Sequence, residues 1–174
     1  MAVTVTLAGS YSGQRFKKMK NLKQQLEEAG VNVLYPPKGE MDDSEYGFFE
    51  SDEKTGDPNS DFARAEMKFL HGTLRKCDAI IFCNYDGHLG QMSSYESYFF
   101  ISAIITEGID KYYNSFGSLP IYMTDEVNYD DCSDFLGELF KSGISSGFIK
   151  IGIDNFYDDF NLTKPVSKKE VKTR

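Results

Sequence analysis

Tryptophan is absent from this chain of 174 residues, cysteine is scarce, and basic residues are outnumbered. The three cysteines, Cys77, Cys83 and Cys132, make an odd set without the paired spacing of a zinc site. Cys77 and Cys83 flank an apolar run, so they read as small core residues in a reducing compartment rather than as disulfide partners or metal ligands. No apolar stretch approaches the length that spans a bilayer. The N-terminal MAVTVTLAGS lacks the basic region and long apolar core of a signal peptide. A cytoplasmic protein with no membrane partner is the expectation. Nineteen Lys and Arg against 27 Asp and Glu give a net charge of -8, which disfavours duplex nucleic acid as a partner. A small anionic ligand would need a local pocket of donors. The first glycine turn carries no GK[ST] and its glycines are not spaced as GxGxxG, so neither a P-loop nor a dinucleotide fingerprint is present. The acids show no EF-hand order. No cofactor and no metal are expected. No internal repeat or low-complexity block interrupts the chain.

What is present is an alternation of strand-like and helix-like stretches. Val3 to Ala8 alternates β-branched and apolar residues and reads as a first strand. Gly9-Ser10-Tyr11-Ser12-Gly13 breaks it. That turn either joins strand to helix or brings backbone N–H groups and serine hydroxyls close to an anion. Phe16, Met19, Leu22 and Leu26 recur at helical spacing up to Gly30. Val31 to Tyr35 reads as a second strand, stopped by Pro36-Pro37. Lys38 to Ser60 is rich in acids and glycine, too long for a routine connection, and reads as a lid-like insertion or a surface loop pinned by Tyr46, Phe48 and Phe49. Asp61 to Lys76 reads as a helix that carries His71 beside core positions. Further along, strands are expected at Leu119–Met123 and Gly147–Gly152, with a helix at Asp131–Lys141. The fold class that follows is α/β: a single domain with a doubly wound, mostly parallel sheet of about five strands, flavodoxin- or Rossmann-like. The domain is expected over residues 1–163, with a basic, frayed tail at 164–174.

The stretch Cys77–Ala103 organises the rest. Ala79-Ile80-Ile81-Phe82-Cys83 reads as a fully buried strand. It leads into a loop with Gly87 and Gly90, and then into an apolar segment, Tyr95–Ile105, of helical length. Ser93 or Ser94 would cap that helix, and Glu96 would fall in its first turn. An open parallel sheet binds ligands beyond the carboxyl ends of its strands, near helix N-termini. Glu96 therefore either complements the helix dipole or faces a ligand.

Three segments resemble the nucleoside 2-deoxyribosyltransferase superfamily, which includes deoxynucleoside monophosphate N-glycosidases. They are Val5-Thr6-Leu7-Ala8-Gly9-Ser10, Leu74-Arg75-Lys76-Cys77-Asp78-Ala79-Ile80-Ile81, and the glycine loop from Asp86 to Glu96. The resemblance covers roughly residues 3–125. It implies Glu96 as a nucleophile, and a pocket for base, sugar or phosphate lined by Gly9, Ser10, Tyr11, Ser12, Asp86, Gly90, Gln91, Ser93 and Ser94. Oligomers are common in the family, so a homo-oligomer is implied as well. Many transferases of the family carry an aspartate six residues before the glutamate; here that position is Gly90, with Gln91 beside it. The family's polar residue eight positions before the strand-start Asp78 is Leu70, next to His71. Candidates for the acid that assists the leaving base are His71, Asp61 and Asp86.

The chemistry expected is cleavage or transfer of an N-glycosidic bond in a nucleoside or nucleotide. It needs a carboxylate at the sugar's anomeric carbon and a donor to the departing base. Ser10, Ser12 and Arg15 would suit a 5′-phosphate, although a solvated helix edge explains Arg15 as well. The alternative is a nucleotide-sensing or sequestering protein with the same pocket and no turnover, a reading that the missing aspartate motivates. A flavodoxin-like electron carrier ranks behind both.

Overall fold

A computed structural model of the chain describes residues 2–9, 13–34, 57, 70, 73, 76–105 and 119–165. Five strands form one parallel sheet: β1 (Thr4–Gly9), β2 (Asn32–Val33), β3 (Ala79–Cys83), β4 (Ile121–Met123) and β5 (Ile149–Ile151). Their spatial order is β2-β1-β3-β4-β5. The chain thus leaves β1 outward to β2, then returns to the other side of β1 and proceeds outward through β3, β4 and β5. The reversal falls between β1 and β3, whose register runs from Val5 opposite Ala79 to Gly9 opposite Cys83. The fold is the α/β, doubly wound, flavodoxin-like single sheet expected from the alternation of elements.

Helices cover both faces, which is why every residue of β3 is buried and why its sequence is continuously apolar. On one face α1 (Gly13–Glu28) and α4 (Ile153–Asp159) bury Met19, Leu22, Leu26, Phe156 and Tyr157 against Val5, Leu7, Ile81, Cys83 and Tyr122. On the other, α2 (Gln91–Ile105) and α3 (Asp134–Ser146) bury Phe100, Ile101, Leu136 and Phe140 against Ala8, Ile80, Phe82, Ile121 and Met123. Leu70, from the segment before β3, joins this second core.

Local signals set the helix ends. Past α1, Gly30 sits at φ 83°, Val31 N–H donates to Leu26 O and Gly30 N–H to Glu27 O. This paired closure favours glycine because it needs a left-handed residue. Ser133 Oγ accepts from Leu136 N–H and starts α3, which ends at Gly147. The helix expected at Asp131–Lys141 is therefore shifted: a separate 3-10 turn, Tyr129–Asp131, precedes it. The second strand, described at Asn32–Val33, is shorter than the expected Val31–Tyr35, of which Tyr35 lies outside the described residues; among the described residues it is an edge strand paired with β1. Helix α4 has no counterpart in the sequence reading; Phe156 and Tyr157 give it a buried face, and its Asp159 accepts a hydrogen bond from Tyr122 Oη at 2.6 Å.

Among the described residues, no helix is long and apolar enough to cross a membrane. Of the acidic insertion at 38–60 only Asp57 is described, and the expected helix at 61–76 is described only at Leu70, Thr73 and Lys76. The tail beyond Pro165 lies outside the described residues; Lys164 pairs with Asp158 at 2.9 Å on the surface.

Candidate functional site

Open parallel sheets accept ligands in the crevice outside the carboxyl ends of their strands, where the winding direction reverses. Here that position corresponds to the ends of β1 and β3, at Gly9 and Cys83. The two ends are tightly apposed. A Cβ built on Gly9, whose φ is 154°, would lie 3.0 Å from both Cys83 Cβ and Cys83 O. Gly9 thus lets β1 run to its end against β3, with no side chain intruding.

The chain leaving β3 is fixed in place before it reaches α2. Asn84, 1% exposed, donates through Nδ2 to Asp125 O at 2.7 Å and Glu126 O at 3.5 Å. Its Oδ1 accepts from Asp125 N–H at 3.2 Å and from Thr124 Oγ1 at 3.3 Å. A 3-10 turn, Tyr85–Gly87, follows, with Asp86 at φ 62° and Gly87 at φ 74°. Gly87 O accepts from Asn128 N–H at 2.9 Å, and a Cβ on Gly87 would meet Glu126 O at 2.8 Å. From the opposite side, α1 reaches over the same turn. Half-buried Arg15 donates through Nε to Tyr85 O at 3.4 Å, and Lys18 Nζ lies 5.2 Å from the Tyr85 ring centre.

Helix α2 begins earlier than its sequence suggested. Gly90 O accepts from Ser94 N–H at 2.9 Å, so Gly90 occupies the N-cap position and Gln91 is the first helical residue. Ser93 and Ser94 therefore lie inside the helix and do not cap it. Ser94 Oγ turns back to Gly90 O at 3.1 Å, and Ser97 Oγ to Ser93 O at 2.6 Å. Glu96 consequently falls in the second turn, not the first. The dipole effect fades within the first turn, so dipole complementation is a poor account of this acid.

Residues 93, 96, 97, 100 and 101 form the buried stripe of α2 at i, i+3, i+4, i+7 and i+8. Its second half, Phe100 and Ile101, is apolar core. Its first half is Ser93, Glu96 and Ser97, all buried, with Glu96 only 3% exposed. The stripe thus turns from apolar to polar as it approaches the carboxyl edge of the sheet. Thr6, buried on the α2-facing side of β1, adds another polar side chain to that side. Electrostatics also set Glu96 near the β3 end. The Cys83 thiol is pushed well up by burial, drawn partly back by a hydrogen bond from the Tyr85 hydroxyl, and raised further by the Glu96 carboxylate. The Tyr85 phenol is raised too, first by burial and then by Cys83 and Asp125.

The residues singled out in the sequence divide into three groups. Gly9, Gly90, the Gln91 backbone, Ser93, Ser94 and Glu96 belong to the β1 end and to the start of α2. Asp86 belongs to the rim: its carboxylate is 67% exposed and pairs with Lys18 Nζ at 3.4 Å. Ser10, Tyr11, Ser12, Asp61 and His71 lie outside the described residues. Sequence reading missed Asn84, Asp125 and Asn128. Asn84 stands directly after the buried strand, a position where a polar residue must find partners, and that was the available signal. Among the described residues no cluster of His, Cys, Asp and Glu could hold a metal ion.

Set against known proteins, the chain matches no family model, no curated protein and no solved structure. Function is therefore read from the geometry at the β1 and β3 ends.

Proposed function

We propose that this protein cleaves or transfers the N-glycosidic bond of a nucleoside or nucleotide, with Glu96 as the nucleophile. One observation carries the reading: a carboxylate sits on the inward stripe of a helix, 3% exposed, beside the reversal between β1 and β3. A buried acid has a high desolvation cost, and such positions concentrate at functional sites. The resemblance of the Asp86–Glu96 loop to the deoxyribosyltransferase superfamily supports the same assignment.

In this mechanism an ionised Glu96 oxygen attacks the anomeric carbon of the bound sugar. The bond from that carbon to the base nitrogen breaks, its electron pair leaves with the base, and the base takes up a proton. The product is a glycosyl ester on Glu96. A second base or a water then attacks the same carbon and gives up a proton, the ester bond breaks, and Glu96 leaves as the carboxylate. The burial of Glu96 favours this route, because a low-water site strengthens charge stabilisation at the sugar and slows hydrolysis relative to transfer. Arg15, at the start of α1 and held to the Tyr85 carbonyl, brings a cation to that rim and suits a 5′-phosphate.

The test is release of free base, followed by chromatography, from a panel of nucleosides, deoxynucleotides and NAD-like dinucleotides. Wild-type turnover should fall roughly 10³-fold or more in folded Glu96→Gln and Glu96→Ala. Unchanged release would remove Glu96 from the mechanism. A nucleotide that raises the melting temperature of the wild type yet is recovered intact after long incubation would favour the sensing or sequestering reading instead.

A further inference from the structure

We propose that Asn84 is a positioning residue for Glu96, and that the loop after β4 is the support against which it works. The inference rests on the glycosidase reading for its catalytic meaning, and on geometry alone for its mechanical part.

Between Cys83 and Gln91 the chain must turn from a strand into the helix that carries Glu96. Six described hydrogen bonds of the first half of that turn go to one place, residues 124–128. Asn84 spends both ends of its amide on residues 124–126, with contacts at 2.7, 3.2, 3.3 and 3.5 Å. Asp86 N–H donates to Asp125 Oδ2 at 3.3 Å, and Gly87 O accepts from Asn128 N–H at 2.9 Å. Apolar packing continues the contact, since Leu89 and Val127 are buried in the same core cluster. Thr124 N–H in turn donates to Phe82 O at 3.0 Å, so the supporting loop is itself tied to β3.

The consequence is a rigid two-loop unit that ends where α2 begins. A buried amide with two donor and two acceptor contacts is a poor choice for packing alone, because each loss leaves a buried partner unsatisfied. It is a good choice for fixing direction. Gly87 reinforces it, since any Cβ there would be forced into Glu126 O at 2.8 Å and would lever the two loops apart. The loops thus set the angle at which α2 leaves the sheet, and through it where the Glu96 carboxylate stands relative to the β1 end.

The experiment compares wild type, Asn84→Ala and Gly87→Ala, two substitutions that open the same contact from different sides. Amide hydrogen exchange is read over residues 85–90, 91–97 and 124–128, and kcat and KM are read separately on whichever substrate the wild type turns over. Faster exchange should spread from both loops into 91–97, and kcat should fall by roughly 10²-fold while KM moves little, as expected when a reacting group is misplaced by about 1 Å. A folded Asn84→Ala protein with wild-type exchange at 91–97 would overturn the mechanical claim. Faster exchange there with unchanged kcat would overturn the positioning claim. If the wild type releases no base from any substrate, the glycosidase reading fails, and exchange alone decides whether Asn84 holds the helix. If Asn84→Ala does not fold, Gly87→Ala decides the same questions.

Discussion

Replacing Gly9 by alanine tests the apposition of the β1 and β3 ends on which the site depends. Two costs add at this position. Its φ of 154° is a conformation that L-residues rarely adopt, which costs roughly 1–3 kcal/mol. The new methyl would also lie 3.0 Å from Cys83 Cβ and from Cys83 O. Because one of these is backbone inside a central strand, no side chain can swing aside, and overpacking of this kind costs roughly 1–3 kcal/mol more. Together the expected loss is roughly 2–6 kcal/mol, a large share of the 5–15 kcal/mol typical of folded domains. Gly30→Ala is the control. Its φ is 83°, but nothing lies within 4 Å of the place its methyl would take, so only the backbone cost of roughly 1–2 kcal/mol applies. Urea unfolding followed by far-UV circular dichroism measures both, with the midpoint falling and the slope unchanged. If Gly9→Ala loses no more stability than Gly30→Ala, the close contact between the strand ends is wrong.

Two further expectations concern groups away from the crevice. Tyr122→Phe removes the hydroxyl that donates to Asp159 Oδ2 at 2.6 Å and should cost about 1–2 kcal/mol near neutral pH. The Asp159 carboxyl is held below its ordinary value of 3.8 by hydrogen bonds from Lys150 and Tyr122. A depressed carboxylate stabilises the fold above its unfolded pKa and loses that contribution as pH falls through the folded value. The difference between Tyr122→Phe and wild type should therefore shrink in unfolding curves taken below about pH 4, and a difference independent of pH would refute the link. The cysteines should differ in alkylation. Burial pushes the Cys77 thiol up to about 12 and the fully buried Cys83 thiol higher still. In the native protein at pH 8, iodoacetamide should modify Cys132 first, with peptide mapping as the readout, and preferential labelling of Cys83 would contradict its placement in the core.

Several features were legible in the residues because the physics that sets them is local. The continuous apolar run Ala79–Cys83 could only be a strand covered on both faces, and β3 is that strand. The stripe Phe16, Met19, Leu22, Leu26 and the stop at Gly30 depend on helical period and on one left-handed residue, and α1 follows them. Glu96 was identifiable as an acid after a glycine loop. Its turn of the helix was not, because serines cap helices as readily as they fold back onto them. Gly90 took the first hydrogen bond, and that choice is made by how the loop docks.

Tertiary structure decided what depends on neighbours distant in sequence. The order β2-β1-β3-β4-β5 sets the reversal at Gly9 and Cys83, and no periodicity encodes which strand lies beside which. Helix α4 owes its extent to packing partners rather than to its own propensity. Asn84 reads as one more polar residue until residues 124–126 fold against it. The sequence by itself determined the layered architecture, and marked Glu96 as an acid after a glycine loop, through hydrophobic period and turn chemistry. Only the folded chain decided where that acid stands and what holds it there, because burial and long-range hydrogen bonds exist only once the strands have assembled.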